Sequence, residues 1–137
     1  MKRSFKRQLD SLGAIFEFVE DFLKDNALDR EYGHVFDLAL EELFVNMVRH
    51  GGKSTHDVAI EMRADREKLT AVLTDTDVDE YNITRHKPYN QNASLEERRI
   101  GGIGIHLVHK LMDNVSYEYH DRTSRIILTK YLRDTHV

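Results

Sequence analysis

The sequence predicts an α+β fold, a two-layer α/β sandwich with helices on one face of a mostly antiparallel sheet. Three observations lead there. Two stretches, from about Asp10 to Asn26 and from about Asp29 to Gly51, repeat apolar residues at helical spacing without a proline. Two pairs of shorter runs alternate apolar and polar residues around polar turns, as hairpins do. The order that results is β-α-α-β-β-loop-α-β-β, spread over 137 residues with no repeat or linker, which is the size of a single domain, residues 1–137, with one core.

Each element has its own justification. Residues 3 to 9 are short and partly alternating, compatible with an edge strand. Asp10 or Ser11 caps the first helix, which turns Leu12, Ile15, Phe16, Val19, Phe22 and Leu23 inward. In the second helix Phe36, Leu40, Leu43, Phe44, Met47 and Val48 share an apolar face, and Gly51-Gly52 ends it. His56 to Arg63 and Lys68 to Asp75 alternate around a turn at Asp65-Arg66-Glu67, giving two paired strands. From Thr76 to about Ile100 the chain is polar, holds the sole proline, Pro88, and has no sustained period. A loop that long in a compact domain is either a functional lid or a poorly ordered insertion. A helix from about Gly104 to Asp113 follows. Val115 to His120 and Arg125 to Leu132 then close the chain as a hairpin around Asp121-Arg122-Thr123-Ser124.

Composition excludes several classes of function. Hydrophobic residues at 40% and charged residues at 32% fit a soluble globular protein. No apolar run approaches the roughly 18 residues needed to span a bilayer. The apolar segment behind Met1-Lys2-Arg3 is interrupted by Asp10, Glu17, Glu20 and Asp21, which argues against a signal peptide, so a cytoplasmic location is expected by default. With no cysteine there is no disulfide, thiolate nucleophile or cysteine-bound metal. A net charge of −4 with scattered basic residues offers no surface for nucleic acid.

Two stretches carry candidate chemistry. On the second helix Glu42, Asn46 and His50 stand four apart and form a row. Such a row is either a water-facing stripe or the wall of a site, with a carboxylate to accept a proton and an amide oxygen to bind a hard cation. The helix alone does not decide. Further along, Gly101-Gly102-Ile103-Gly104 opens a helix with three glycines in four positions. Glycines let backbone N–H groups approach an anion and a helix N-terminus favours negative charge, so phosphate is a natural guest and a tight loop the plain alternative. No Gly-Lys-Ser/Thr follows, so the stretch is not a P-loop, nor does it follow a first strand as a Rossmann turn would. His106 and His109 are three apart, a zinc-compatible spacing, but two ligands without a third do not make a site.

Taken together, Glu42-x-x-x-Asn46-x-x-x-His50-Gly51 and Gly101-Gly102-x-Gly104-x-His106-Leu107-Val108, with an acid-ended strand and a long loop between them, resemble the GHKL ATPase superfamily and its Bergerat ATP-binding fold. Within it the chain is most similar to the anti-sigma-factor serine/threonine kinases, over nearly its whole length from Arg3 to Leu132. The resemblance implies roles position by position. Asn46 would coordinate Mg²⁺ on the phosphates of ATP, with His50 further along the same face. Glu42 would accept the proton of a serine or threonine hydroxyl, and Asp75 would take a hydrogen bond from the adenine amino group. Gly102 and Gly104 would present N–H groups to phosphate. Residues 76 to 100 would form the ATP lid, with Arg85, Lys87, Arg98 or Arg99 as phosphate contacts. The implied activity is phosphorylation of a small anti-sigma-antagonist-like protein by a homodimer that also binds a sigma factor or similar partner.

The chain departs from the family at one place. After the adenine-binding aspartate the family has Asp-x-Gly-x-Gly or Pro, whereas this chain reads Asp75-Thr76-Asp77-Val78-Asp79. Two carboxylates near a polyanion cost on the order of 1 kcal/mol each at an effective dielectric near 20. This supports a second expectation, a non-catalytic protein-binding module of the same fold with weak or absent nucleotide binding. A histidine-kinase catalytic domain is a third, disfavoured by the lack of a dimerisation helix or phosphoacceptor segment in the sequence.

Overall fold

The computed structural model describes residues 1–81 and 103–133. Strand β1 (Lys2–Phe5) is followed by a turn of 3-10 helix at Leu9–Ser11, then by helices α1 (Leu12–Asp25) and α2 (Arg30–His50). Strands β2 (Val58–Ala64) and β3 (Lys68–Thr76) come next, then helix α3 (Ile103–Leu111) and strands β4 (Asn114–His120) and β5 (Thr123–Tyr131). The strands form one antiparallel sheet in the order β1-β2-β3-β5-β4. The predicted α+β architecture is therefore the observed one.

Local chemistry accounts for the element ends. The Asp29 carboxylate accepts a hydrogen bond from the Glu31 backbone N–H at 3.2 Å, capping α2 where four N–H groups lack helical partners. Asp65 Oδ1 accepts from the N–H groups of Glu67 and Lys68 at 2.8 and 2.9 Å, closing the β2–β3 turn. In the β4–β5 hairpin the turn is shorter than the sequence suggests. His120 pairs with Thr123, and only Asp121 and Arg122 lie in the turn, with φ of 49° and 59°. That is the mirror-image turn whose twist matches two-residue hairpins.

Alternation on the strands faces Val58, Ile60, Met62, Leu69, Ala71 and Leu73 toward the helices, where they meet the apolar stripes of α1 and α2 in one core. Two expectations about the N-terminal third need correction. The first strand ends at Phe5 rather than near residue 9, because the chain turns into the 3-10 segment. Phe18, rather than Phe16, is fully buried on α1: its ring lies 5.8 Å from Phe5, and the Arg3 guanidinium sits 5.1 Å above it. Phe18 stands three after Ile15 and four before Phe22, so it shares their helical stripe, and Phe5 of β1 packs on it.

One polar group in α2 is poorly accommodated. Among the described residues Asp37 Oδ1 is buried without a hydrogen-bond partner, and burial pushes the carboxyl up to about 6, with His34 opposing and Glu20 and Glu41 adding to the rise. The native state thus holds this proton more tightly than the unfolded chain. Its contribution to stability is complete below pH 4 and is lost as the pH rises through 6. Because Asp37 is half-exposed, screening reduces the cost at neutral pH to about 1 kcal/mol. Asp37→Asn is expected to gain about that much at pH 7 relative to wild type and nothing at pH 4. Urea unfolding at both pH values checks this, and an equal effect at both would refute it.

Candidate functional site

Asp75 ends the inner row of β3, following Leu69, Ala71 and Leu73 on the face that packs against the helices. A carboxylate there, with its side chain 4% exposed, requires a partner. The partner is Arg7, from the turn after β1, whose side chain is 8% exposed. Arg7 Nη2 donates to Asp75 Oδ1, Nη1 donates to the Met47 carbonyl at 2.8 Å, and Nε donates to the His56 carbonyl at 3.2 Å. One guanidinium thus joins the start of the sheet, the last turn of α2, the loop before β2 and the end of β3. Burial lowers the Arg7 pKa, but a guanidinium remains charged at any physiological pH.

Asp75 also lines a cavity of about 40 Å³, together with Asn46, Met47 and His50 of α2, Gly51, Val78, Asp79 and Tyr81, and Tyr117, Ser124 and Ile126 from the hairpin. The structure therefore brings together Asn46, His50 and Asp75, three residues chosen from sequence. Among the described residues that line the cavity, Glu42 does not appear. It stands one turn back on α2, half-buried, its pKa raised by burial and by Glu41 and lowered by Arg49. Gly104 lies in the first turn of α3. Gly102, Arg85, Lys87, Arg98 and Arg99, and most of the expected lid, lie outside the described residues.

The start of that lid segment is held against the sheet. Thr76 still pairs with Thr123 as part of β3. The Val78 N–H donates to the Arg122 carbonyl at 3.0 Å, the Tyr119 hydroxyl donates to the Val78 carbonyl at 2.7 Å, and the Tyr81 N–H donates to the Tyr117 hydroxyl at 3.0 Å. The Tyr81 ring then stacks on His50, with centroids 5.6 Å apart and planes inclined by 15°. These contacts wall the cavity, which has room for only a few water molecules.

Asp77 and Asp79, where the resemblance leads one to expect glycine, take on a different meaning here. Asp77 has φ of 58°, a left-handed backbone that favours glycine and into which aspartate is strained. Asp and Asn tolerate this region better than other side chains, though a non-glycine residue there costs roughly 1 kcal/mol or more. The expected repulsion is answered within the chain. Arg122 donates through Nε to Asp77 at 3.1 Å and through Nη1 to Asp79 at 2.9 Å, so neither carboxylate stands uncompensated.

Sequence reading missed Arg7, Tyr81, Tyr117, Arg122 and Ser124. The sole signal was Asp75 itself, since a carboxylate at a core-facing strand position needs a cation, but nothing local says which of 20 basic residues supplies it. Gly51 also gains a reason. Its φ of −72° is ordinary, but a Cβ would lie 2.3 Å from Arg7 Nη1 and 2.6 Å from the Met47 carbonyl oxygen. Gly51→Ala is expected to cost about 2–3 kcal/mol in chemical denaturation, because backbone and a buried ion pair must both yield. A change below 0.5 kcal/mol would contradict this packing.

Comparison with known proteins agrees with this architecture. Residues 5–130 match the model of the histidine kinase-like ATPase domain. The serine-protein kinase RsbW of Listeria innocua is 30% identical over 105 residues, covering 73% of this chain and 66% of that protein. RsbW of Staphylococcus aureus strain MSSA476 is 32% identical over 108 residues with the same coverage, so the chain spans about two thirds of the length of these relatives. Among solved structures, a chain of the SiaB–SiaC complex from Pseudomonas aeruginosa superposes with a TM-score of 0.58 at 12% identity, over 96% of this chain and 88% of that one. The Acinetobacter baumannii histidine kinase AdeS gives 0.53 at 12% identity, over 98% and 68%. At that identity these two likenesses speak for the fold alone.

Proposed function

Because the chain belongs to the histidine kinase-like ATPase family and is a distant homologue of the RsbW serine-protein kinases, we propose that it is an ATP- and Mg²⁺-dependent serine/threonine protein kinase. The observation that carries this reading is the meeting of Asn46 and Asp75, from α2 and β3, in the wall of one cavity beside His50. Asp75 accepts from the exocyclic amino group of adenine. His50 and Tyr81 part to admit the base, since the cavity they help to line is far smaller than the several hundred Å³ usual for a ligand site.

The donor set fits Mg²⁺. Asn46 offers one hard oxygen at the cavity wall, and magnesium on a nucleotide usually takes one or two protein ligands, with phosphate oxygens and water completing its shell. When bound, the ion would neutralise charge on the phosphates. Glu42, raised in pKa and one turn from Asn46, accepts the proton of the incoming hydroxyl. Backbone N–H groups at Gly102 and Gly104 hold phosphate, so catalysis is positioning and charge stabilisation. The substrate is an anti-sigma-antagonist-like protein, and the kinase, a homodimer, also holds a sigma factor or similar partner.

Calorimetric titration of ATP with and without Mg²⁺ tests this reading. Wild type is expected to bind ATP more tightly with Mg²⁺, and Asn46→Ala to lose 10- to 100-fold in affinity together with most of the magnesium dependence. The small cavity walled by Tyr81 favours a second reading, a protein-binding module that keeps the fold without nucleotide. Absence of heat up to millimolar ATP would establish that reading instead.

A further inference from the structure

Asp75 is reached from two sides. The cavity touches the carboxylate, and Arg7 does not line that cavity although its guanidinium is bonded to Asp75 Oδ1. Arg7 bonds Oδ1, and among the described residues nothing is bonded to Oδ2, which is left for a ligand. The position of Arg7 is tightly determined, with Nη1 and Nε committed to the carbonyls of Met47 and His56 and no room for a Cβ at Gly51. The other titratable or charged groups on the cavity are His50 from α2, Asp79 and Tyr81 from the segment after β3, and Tyr117 from β4. None of them is bonded to Asp75 among the described residues, so Arg7 is the cation that answers this carboxylate.

We propose that Arg7 is a positioning residue that sets the base preference of this site, holding Asp75 as an ionised acceptor and so selecting a purine with a 6-amino group over a 6-oxo purine. The inference rests on the nucleotide-binding reading above. An ionised carboxylate only accepts hydrogen bonds, whereas a protonated one also donates. The 6-amino group of adenine is a donor and the 6-oxo group of hypoxanthine an acceptor, so the protonation state of Asp75 discriminates between them. Deprived of Arg7, a carboxylate this buried takes up a proton and becomes suited to the wrong base. The guanidinium acts through Asp75 and touches no ligand itself.

The test compares the affinities of ATP and ITP, by calorimetry with Mg²⁺, in the full chain and in Arg7→Lys, Arg7→Gln and Arg7→Met. Wild type is expected to prefer ATP by tenfold or more. Arg7→Lys, which keeps the charge, should retain most of that preference. Arg7→Gln and Arg7→Met should lose it, with ITP binding at least as tightly as it does to wild type while ATP weakens. Glutamine retains a hydrogen-bond donor, so it serves if the methionine variant does not fold. A folded neutral variant with an unchanged ATP-to-ITP ratio would overturn the role of Arg7 alone. A wild type that binds neither nucleotide would overturn both this proposal and the reading beneath it, and one that binds both equally would overturn this proposal and leave nucleotide binding standing.

Discussion

Glu42→Gln is expected to lower phosphoryl transfer by roughly two to four orders of magnitude while ATP affinity stays within a few-fold of wild type. The expectation rests on where Glu42 stands. It shares the polar row of α2 with Asn46 and His50 but, unlike them, is absent from the cavity wall. In the proposed kinase, a carboxylate beside the cavity would contribute little to holding nucleotide and much to accepting a proton as the hydroxyl attacks. Losing an interaction made only in the transition state lowers kcat and kcat/KM together. The pH dependence has a definite sign. Burial and Glu41 raise the Glu42 pKa, so the basic form disappears, and the rate falls, at a higher pH than for an ordinary glutamate. Glu42→Gln should lack that acidic limb. Transfer of labelled γ-phosphate to an antagonist-like protein, followed across pH, measures both features. Equal transfer by wild type and variant would remove Glu42 from the chemistry.

The largest effect on stability is expected at the Arg7–Asp75 pair. Removing one partner of a buried ion pair leaves the other to stay charged alone or to change its protonation, and typically costs 3–5 kcal/mol, a large share of the 5–15 kcal/mol of an ordinary domain. Arg7→Met should therefore lower the melting temperature by roughly 10 °C or more. The guanidinium also satisfies the carbonyls of Met47 and His56, so the loss reaches the end of α2 and the loop before β2. Asp75→Asn should cost less, since a neutral amide remains to accept from Arg7. Combining Arg7→Met with Asp75→Asn should cost clearly less than the sum of the two, because the second change removes the carboxylate that the first leaves without its cation. Urea unfolding of the three variants provides the cycle. Strict additivity would show that the two side chains stabilise the protein independently. By contrast, the contacts of Arg122 with Asp77 and Asp79 lie at the surface, where ion pairs contribute little, and they direct the segment more than they stabilise the fold.

The sequence by itself determined the elements and named part of the candidate site. Helical periodicity in α1 and α2, alternation in β2 and β3, and the polar turns between them are local properties, readable because a few neighbouring residues decide them. The same holds for the row of Glu42, Asn46 and His50, since residues four apart on a helix necessarily share a face. The order of motifs along the chain was enough to suggest the family. What lies between distant residues was decided by tertiary structure. Arg7 meets Asp75 across 68 positions, and Tyr81 reaches Tyr117 across 36. Arg122 reaches Asp77 because Asp75 and Thr76 pair with Ser124 and Thr123, which sets the hairpin turn beside the end of β3. Asp77 and Asp79 read in sequence as two added negative charges, and the sheet register supplies the cation that answers them. Periodicity tells a side chain which face of its own element it occupies. Which partner waits on that face follows from strand order and register, and these are properties of the assembled sheet.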